Sequence, residues 1–204
     1  MSTEKIIVMK SVANEFRQAL LTTAKNMVGM SGPNAMEATV TKVQGLVDDA
    51  LKKGAKLEFG ENKLKSGKQH LNQMLVSNVT KDMDIYHTET FGPVSALIEV
   101  DTVEEAIEVA NDTEYGLSAS VFSKDLSKAI QVAKRIESGA VHINGMTVHD
   151  ENSLPHGGNH LLKLLLIFRM EKIWIWSIWI EIWFRGIPSN KDNHYQIQRG
   201  AMRY

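Results

Sequence analysis

The sequence predicts an α/β protein: a largely parallel sheet with helices on both faces over residues 1–158, then a tail of different character over residues 159–204. Three observations carry this. Short apolar, β-branched runs alternate with longer stretches of helical period, the signature of strand–helix–strand units. The first run, Ile6-Ile7-Val8, is apolar at consecutive positions, as strands covered on both faces are. And 204 residues of which 43% are hydrophobic can enclose one sizeable core.

Taken in order, Lys5 to Met9 is a short buried strand. Ser11 is placed to cap a helix whose face is Val12, Phe16, Ala19, Leu20, Thr23, Ala24 and Met27, ending near Gly29. Gly32-Pro33 marks a loop. Val40, Val43, Leu46, Val47, Ala50 and Leu51 share one side of a second helix, closed by Gly54. Lys56 to Phe59 predicts a strand. Gly60 to Gln69, with Lys63, Lys65 and Lys68, reads as a solvated loop rather than a phosphate site. Leu71 to Val79 is an ambiguous strand leading into a turn over Asp82 to Tyr86. Val94 to Val100 is a strand, and Thr102-Val103-Glu104-Glu105 is a capping box opening a helix with Val103, Ala106, Ile107, Val109 and Ala110 on its apolar side. Gly116 turns the chain into a strand over Ser118 to Phe122. Ser123 then caps a helix carrying Leu126, Ala129, Ile130, Ala133 and Ile136 and ending at Gly139, before a last strand over Ala140 to Ile143.

Charged residues are 23% of the chain and the formal net charge is −1, so the electrostatic footprint of a nucleic-acid binder is missing. The sequence has no cysteine, which excludes a disulfide framework and any thiolate metal site. The first ten residues carry Lys5 and Lys10 but no apolar region with a cleavage site, so a cytoplasmic protein is expected. His142, His149 and His156 are spaced by seven, which fits neither the helical i, i+4 metal pattern nor a loop zinc motif; no metal is expected.

The stretch with the most chemistry in it is Glu89-Thr90-Phe91-Gly92-Pro93-Val94. A carboxylate and an aromatic two positions apart precede a Gly-Pro turn that fixes the backbone path into a strand. This suits a loop at the edge of a sheet, where α/β proteins hold nucleotides. On spacing alone the same residues also fit an ordinary turn with a surface Glu and a core Phe.

Together with Glu104-Glu105-Ala106, Ala110-Asn111-Asp112-Thr113-Glu114-Tyr115-Gly116-Leu117 and Ser138-Gly139-Ala140-Val141-His142-Ile143-Asn144, this motif closely resembles the aldehyde dehydrogenase superfamily. The resemblance covers roughly Met1 to Gly158 and implies the C-terminal, catalytic-domain portion of an NAD- or NADP-dependent enzyme. It implies that Glu89 holds the nicotinamide ribose hydroxyls and that Phe91 packs beside the nicotinamide ring. It sets Lys42 where relatives often have a basic residue near the ribose, a solvated helix lysine being the alternative; Thr39 stands where relatives often have Gln. Asn144 matches a structural Asn. His149 and His156 fall at positions that line the aldehyde tunnel, and Thr147-Val148-His149-Asp150-Glu151 resembles the subset acting on aromatic aldehydes such as salicylaldehyde or vanillin.

The resemblance also implies that the nucleophilic cysteine of relatives stands one residue before Met1, with the cofactor-binding half and the general base further upstream. Forming the thiohemiacetal needs a thiolate, and Ser2 and Thr3 have no evident activating base beside them. No aldehyde dehydrogenase activity is therefore expected of these residues alone, and nucleotide is expected to be held weakly at best.

After Gly158 the match stops. Relatives continue with a basic, Ser/Gly-rich segment; here Leu161-Leu162-Lys163-Leu164-Leu165-Leu166-Ile167 follows, then a stretch from Ile173 to Phe184 that holds all four tryptophans. Lys163, Arg169, Glu171, Lys172 and Glu181 break every apolar run below membrane-spanning length. An interfacial helix and an alternating strand are two readings of this stretch. A changed reading frame or a misassigned exon end is the leading one, with an irregular or non-native tail as its consequence. The expected partners are an aldehyde, further copies of the chain or a full-length relative; the non-enzymatic alternatives are a truncated partner of such a relative and a membrane-surface binder.

Overall fold

Consecutive β-branched residues set the middle of the molecule. Ile6, Ile7 and Val8 are buried in β1 (Lys5–Met9), a strand covered on both faces. The computed structural model describes residues 3–26, 37–63, 71–147, 157, 179–183 and 195–198. Within them the further strands are β2 (Lys56–Phe59), β3 (Met74–Ser77), β4 (Val94–Val100), β5 (Ser118–Phe122), β6 (Ala140–Ile143), β7 (Trp179–Trp183) and β8 (Tyr195–Gln198). The helices are α1 (Lys10–Asn26), α2 (Glu37–Lys52), α3 (Asp84–His87), α4 (Val103–Asn111) and α5 (Leu126–Ala133).

The strands form one eight-stranded sheet in the order β2-β3-β4-β1-β7-β5-β6-β8. Five of its pairings are parallel, and only the outer strands β2 and β8 run antiparallel to their neighbours. The pleat sorts the side chains. Ile6, Val8, Leu75 and Leu97 face α1, whose Val12, Phe16, Leu20 and Leu21 cover them. Ile7, Val76, Ala96, Ile98, Val121 and Val141 face the other way, into the larger core formed with α2, α4 and α5. Each fully buried aliphatic side chain, such as Ile7 or Leu97, contributes about 1.5–3 kcal/mol by leaving water. The α/β class with helices on both faces is what the sequence predicts.

Local differences have local causes. Helix α1 starts at Lys10, directly from β1, so Ser11 lies inside its first turn rather than ahead of it. Ala19 and Thr23 are exposed, and Leu21 takes their place on the packed side. The turn expected over Asp82 to Tyr86 becomes the one-turn helix α3. The N-cap of α5 is Asp125, whose side chain accepts from the Lys128 amide at 3.0 Å; Ser123 accepts from the Asp125 amide at 3.1 Å and shapes the turn before it. The predicted cap at Thr102 is present, with its hydroxyl accepting from the Glu105 amide at 3.1 Å. Glu105 answers by accepting from Asp101 N, one residue before the cap. Helix α5 stops at Ala133, short of Gly139. Of the residues after 158, those described are the strands β7, between β1 and β5, and β8, beside β6.

Gly60, at φ +89°, turns β2 toward β3, and a Cβ there would overlap the Gln73 carbonyl oxygen and lie 2.9 Å from Met74 Cγ. Gly60→Ala combines a disfavoured backbone region with a backbone clash, and should lower stability by about 2–4 kcal/mol in urea unfolding. A loss below about 0.5 kcal/mol would mean that the turn relaxes freely.

Candidate functional site

The site is built on the link from α3 to β4. Pro93 ends that link, and its carbonyl accepts from Met74 N at 2.8 Å, tying the turn to the start of β3. The link therefore lies at the amino-terminal ends of β1, β3 and β4. Open α/β sheets commonly hold ligands at the carboxyl ends of their strands instead. The cause is simple: Glu89 to Pro93 enters β4 rather than leaving it.

Within the turn Phe91 adopts φ +54°, a left-handed conformation uncommon for an aromatic residue, and one that points to a constraint from its surroundings. Gly92 follows because nothing larger fits: a Cβ there would sit 2.5 Å from Val43 Cγ2 on α2. The outcome reverses the ordinary-turn reading. Glu89 is 6% exposed and Phe91 49% exposed, so the carboxylate is inside and the ring is outside.

Lys42, on α2, joins them. Its Nζ donates to the Glu89 carbonyl oxygen at 2.7 Å and stands 5.5 Å from the Phe91 ring centroid, in cation–π range. The three cofactor-site residues suggested by resemblance, Glu89, Phe91 and Lys42, thus meet in space. His149 and His156 lie outside the described residues. Asn144 is structural: at φ +54° it accepts from Ser123 N at 2.8 Å and donates to Ser123 O at 2.9 Å, joining the ends of β5 and β6.

Sequence reasoning passed over Glu4 and Thr90. Glu4, 8% exposed, accepts from the Thr90 hydroxyl at 2.9 and 2.8 Å and from Thr90 N at 3.4 Å. Thr90 Oγ1 in turn accepts from Gly92 N at 3.2 Å. Burial pushes the Glu4 carboxyl up to about 7, against the opposing effect of its Thr90 bonds. Burial also pushes Glu89 up to about 7, and the nearby Glu4 charge adds to the rise. The signal available in the sequence was a carboxylate two residues before the apolar run Ile6-Ile7-Val8.

A second cluster flanks the first. Lys5 Nζ donates to the Asp112 carbonyl oxygen at 3.0 Å and lies 4.1 Å from the Tyr86 ring centroid; burial lowers it to about 8. Tyr86 Oη donates to Asp112 Oδ2 at 3.1 Å, and Lys81 pairs with the same oxygen at 2.9 Å. Here the links among β1, α3 and the end of α4 are structural.

The model of the aldehyde dehydrogenase family matches residues 1–161, most of the chain. The chain belongs to the aldehyde dehydrogenase family. It is 41% identical over 167 residues to a vanillin dehydrogenase of Pseudomonas sp. strain HR199, covering 78% of this chain and 34% of that protein. It is 37% identical over 167 residues to a salicylaldehyde dehydrogenase of Pseudomonas putida, with the same coverage of both chains. Among solved structures, salicylaldehyde dehydrogenase from Pseudomonas putida G7, complexed with salicylaldehyde, matches with a TM-score of 0.71 and 34% identity, over 77% of this chain and 34% of that one. This aldehyde dehydrogenase chain therefore spans about a third of the length of the relatives it matches. Its β7 and β8 lie beyond the family-matched residues. Among the described residues no helix is long and apolar enough to cross a membrane.

Proposed function

We propose that the Glu89–Phe91 turn is the nicotinamide-ribose seat of an NAD- or NADP-dependent dehydrogenase of aromatic aldehydes. The observation that carries this is the inverted exposure of the turn, with a buried carboxyl beside an outward aromatic ring and an ammonium at their edge. The described residues fit the group, since no hydrogen bond is made among them to the Glu89 carboxyl, which leaves its oxygens free to accept from a ribose diol. The nicotinamide would supply the hydride acceptor for aldehyde oxidation. Phe91 offers a face for a planar ring, and Lys42 fixes the carbonyl behind Glu89 so that the carboxyl keeps its direction. The vanillin and salicylaldehyde dehydrogenases among the relatives support an aromatic substrate.

With no cysteine among the 204 residues, no thiohemiacetal forms on this chain, so the activity belongs to a protein that also holds the nucleophile and the general base. Saturation-transfer NMR with NAD⁺ tests the seat: nicotinamide protons should receive saturation, and Glu89→Ala or Phe91→Ala should remove at least about 80% of the effect, as a hot-spot contact would. Absence of transfer to the unaltered chain would overturn the reading. Incubation with vanillin and NAD⁺ should yield no NADH; turnover at an enzyme-like rate would refute the thiol requirement. A second reading, a non-enzymatic partner of a full-length relative, is favoured by the same missing thiol, and co-purification with such a relative is its test.

A further inference from the structure

Glu4, one residue ahead of β1, makes no contact that the proposed seat requires, yet its side chain is bonded to Thr90 inside the turn. Its two carboxylate oxygens hold the Thr90 hydroxyl, and that hydroxyl holds the Gly92 amide. The residues on either side are fastened as well: Ala96 N donates to Glu4 O at 2.8 Å, and Ser95 Oγ donates to Thr3 O. Thr90 is 1% exposed, so its hydroxyl has no water to fall back on and must find its partners in the protein. Between Glu89 and Gly92 the backbone passes through the left-handed conformation of Phe91, which does not hold itself in place.

We propose that Glu4 is the positioning residue of the seat: through the Thr90 hydroxyl it clamps the turn from inside, keeping Glu89 buried and the Phe91 ring outward. The carboxylate acts as a double acceptor behind the turn, while the turn's outer side stays free for a ligand. Because Glu4 heads β1, the clamp also couples the segment leading into β1 to the seat, so that a shift of one is felt by the other. For what the turn binds, this rests on the function proposed above; for what holds the turn, it does not.

Hydrogen exchange of the full chain, read by NMR without nucleotide, tests it. Glu4→Ala should speed exchange of the Phe91 and Gly92 amides by about tenfold or more, the equivalent of one lost buried hydrogen bond, while Leu97 and Ile98 in β4 change less than about twofold. Glu4→Gln keeps an acceptor oxygen and should restore most of the protection. Should Glu4→Ala fail to fold, Thr90→Val takes its place, with Thr90→Ser, which retains the hydroxyl, as the rescuing variant. Unchanged exchange at Phe91 and Gly92, or an equal rise along β4, would overturn the clamp, the second result reducing Glu4 to a general support of the strand. No nucleotide is present, so a failed NAD⁺ titration would sink the seat and leave the clamp standing.

Discussion

Stability should fall as the pH is raised from about 5 to about 7.5, the reverse of the usual carboxylate behaviour. Glu4 and Glu89 each stand near 7 in the folded chain, above their ordinary value of 4.5, chiefly because burial penalises the charged form. Between these values the folded state holds protons that the unfolded state has released, so the slope of unfolding free energy with pH is negative. The stabilisation is fully present below about 4.5 and is lost as the pH rises through about 7. For two coupled buried groups the loss amounts to a few kcal/mol at most, since each tenfold change in proton affinity is worth about 1.4 kcal/mol. Lys5 works the other way above this window: held near 8 in the fold against 10.5 when free, it is neutral in the folded chain while still charged in the unfolded one, and stability recovers above about pH 8. Urea midpoints from pH 5 to 9 should therefore trace a shallow minimum near pH 7.5–8. Glu89→Gln should flatten the acid side of that curve. A midpoint rising steadily from pH 5 to 7.5 would show that the two carboxyls are ordinary solvated acids.

Ile180→Pro should be strongly destabilising. Strand β7 is bonded on both edges, to β1 through Lys5↔Ile180 and to β5 through Ala119↔Ile180, so a proline at this position removes a donor from an interior strand. The expected loss is about 3 kcal/mol or more. All four tryptophans lie between Trp174 and Trp183, so their emission reports on this part of the chain without any added label. The variant should show altered emission before denaturant is added and an earlier urea midpoint. Emission and midpoint equal to those of the unaltered chain would mean that Trp179–Trp183 does not bear on the sheet.

The parts of the fold that periodicity could predict were those whose residues answer to their immediate neighbours. Strand β4 was legible end to end because Val94 to Val100 is bounded by Pro93 and by the capping sequence at Thr102. Helix α2 showed its buried side through Val40, Val43, Leu46, Val47 and Ala50. The start of α1 was not legible, because at Lys10 the chain passes from strand to helix with no intervening residue for Ser11 to occupy as a cap. Nor was the place of the tail, since an alternating Trp-Ile-Glu-Ile-Trp run says strand without saying which neighbours it will find. At the site, resemblance pointed to Glu89, Phe91 and Lys42, and their meeting is a tertiary fact, Lys42 and Glu89 standing 47 positions apart. Glu4 and Thr90 stayed hidden for the same reason at greater range, the partners standing 86 positions apart. No local pattern signals a hydrogen bond of that span.

Placing the turn at the amino-terminal ends of the strands has a consequence for charge. Helix α4 follows β4 and runs back along the sheet, so its C-terminus arrives at this same end, where Lys5 meets the Asp112 carbonyl that closes it. A helix C-terminus presents carbonyl oxygens and the negative pole of its dipole. With the buried carboxyls of Glu4 and Glu89, that helix end meets the ammonium groups of Lys5, Lys42 and Lys81, so charges of both signs converge on this end of the sheet. A substitution at any one of these charges should therefore be felt in the proton affinity of the others.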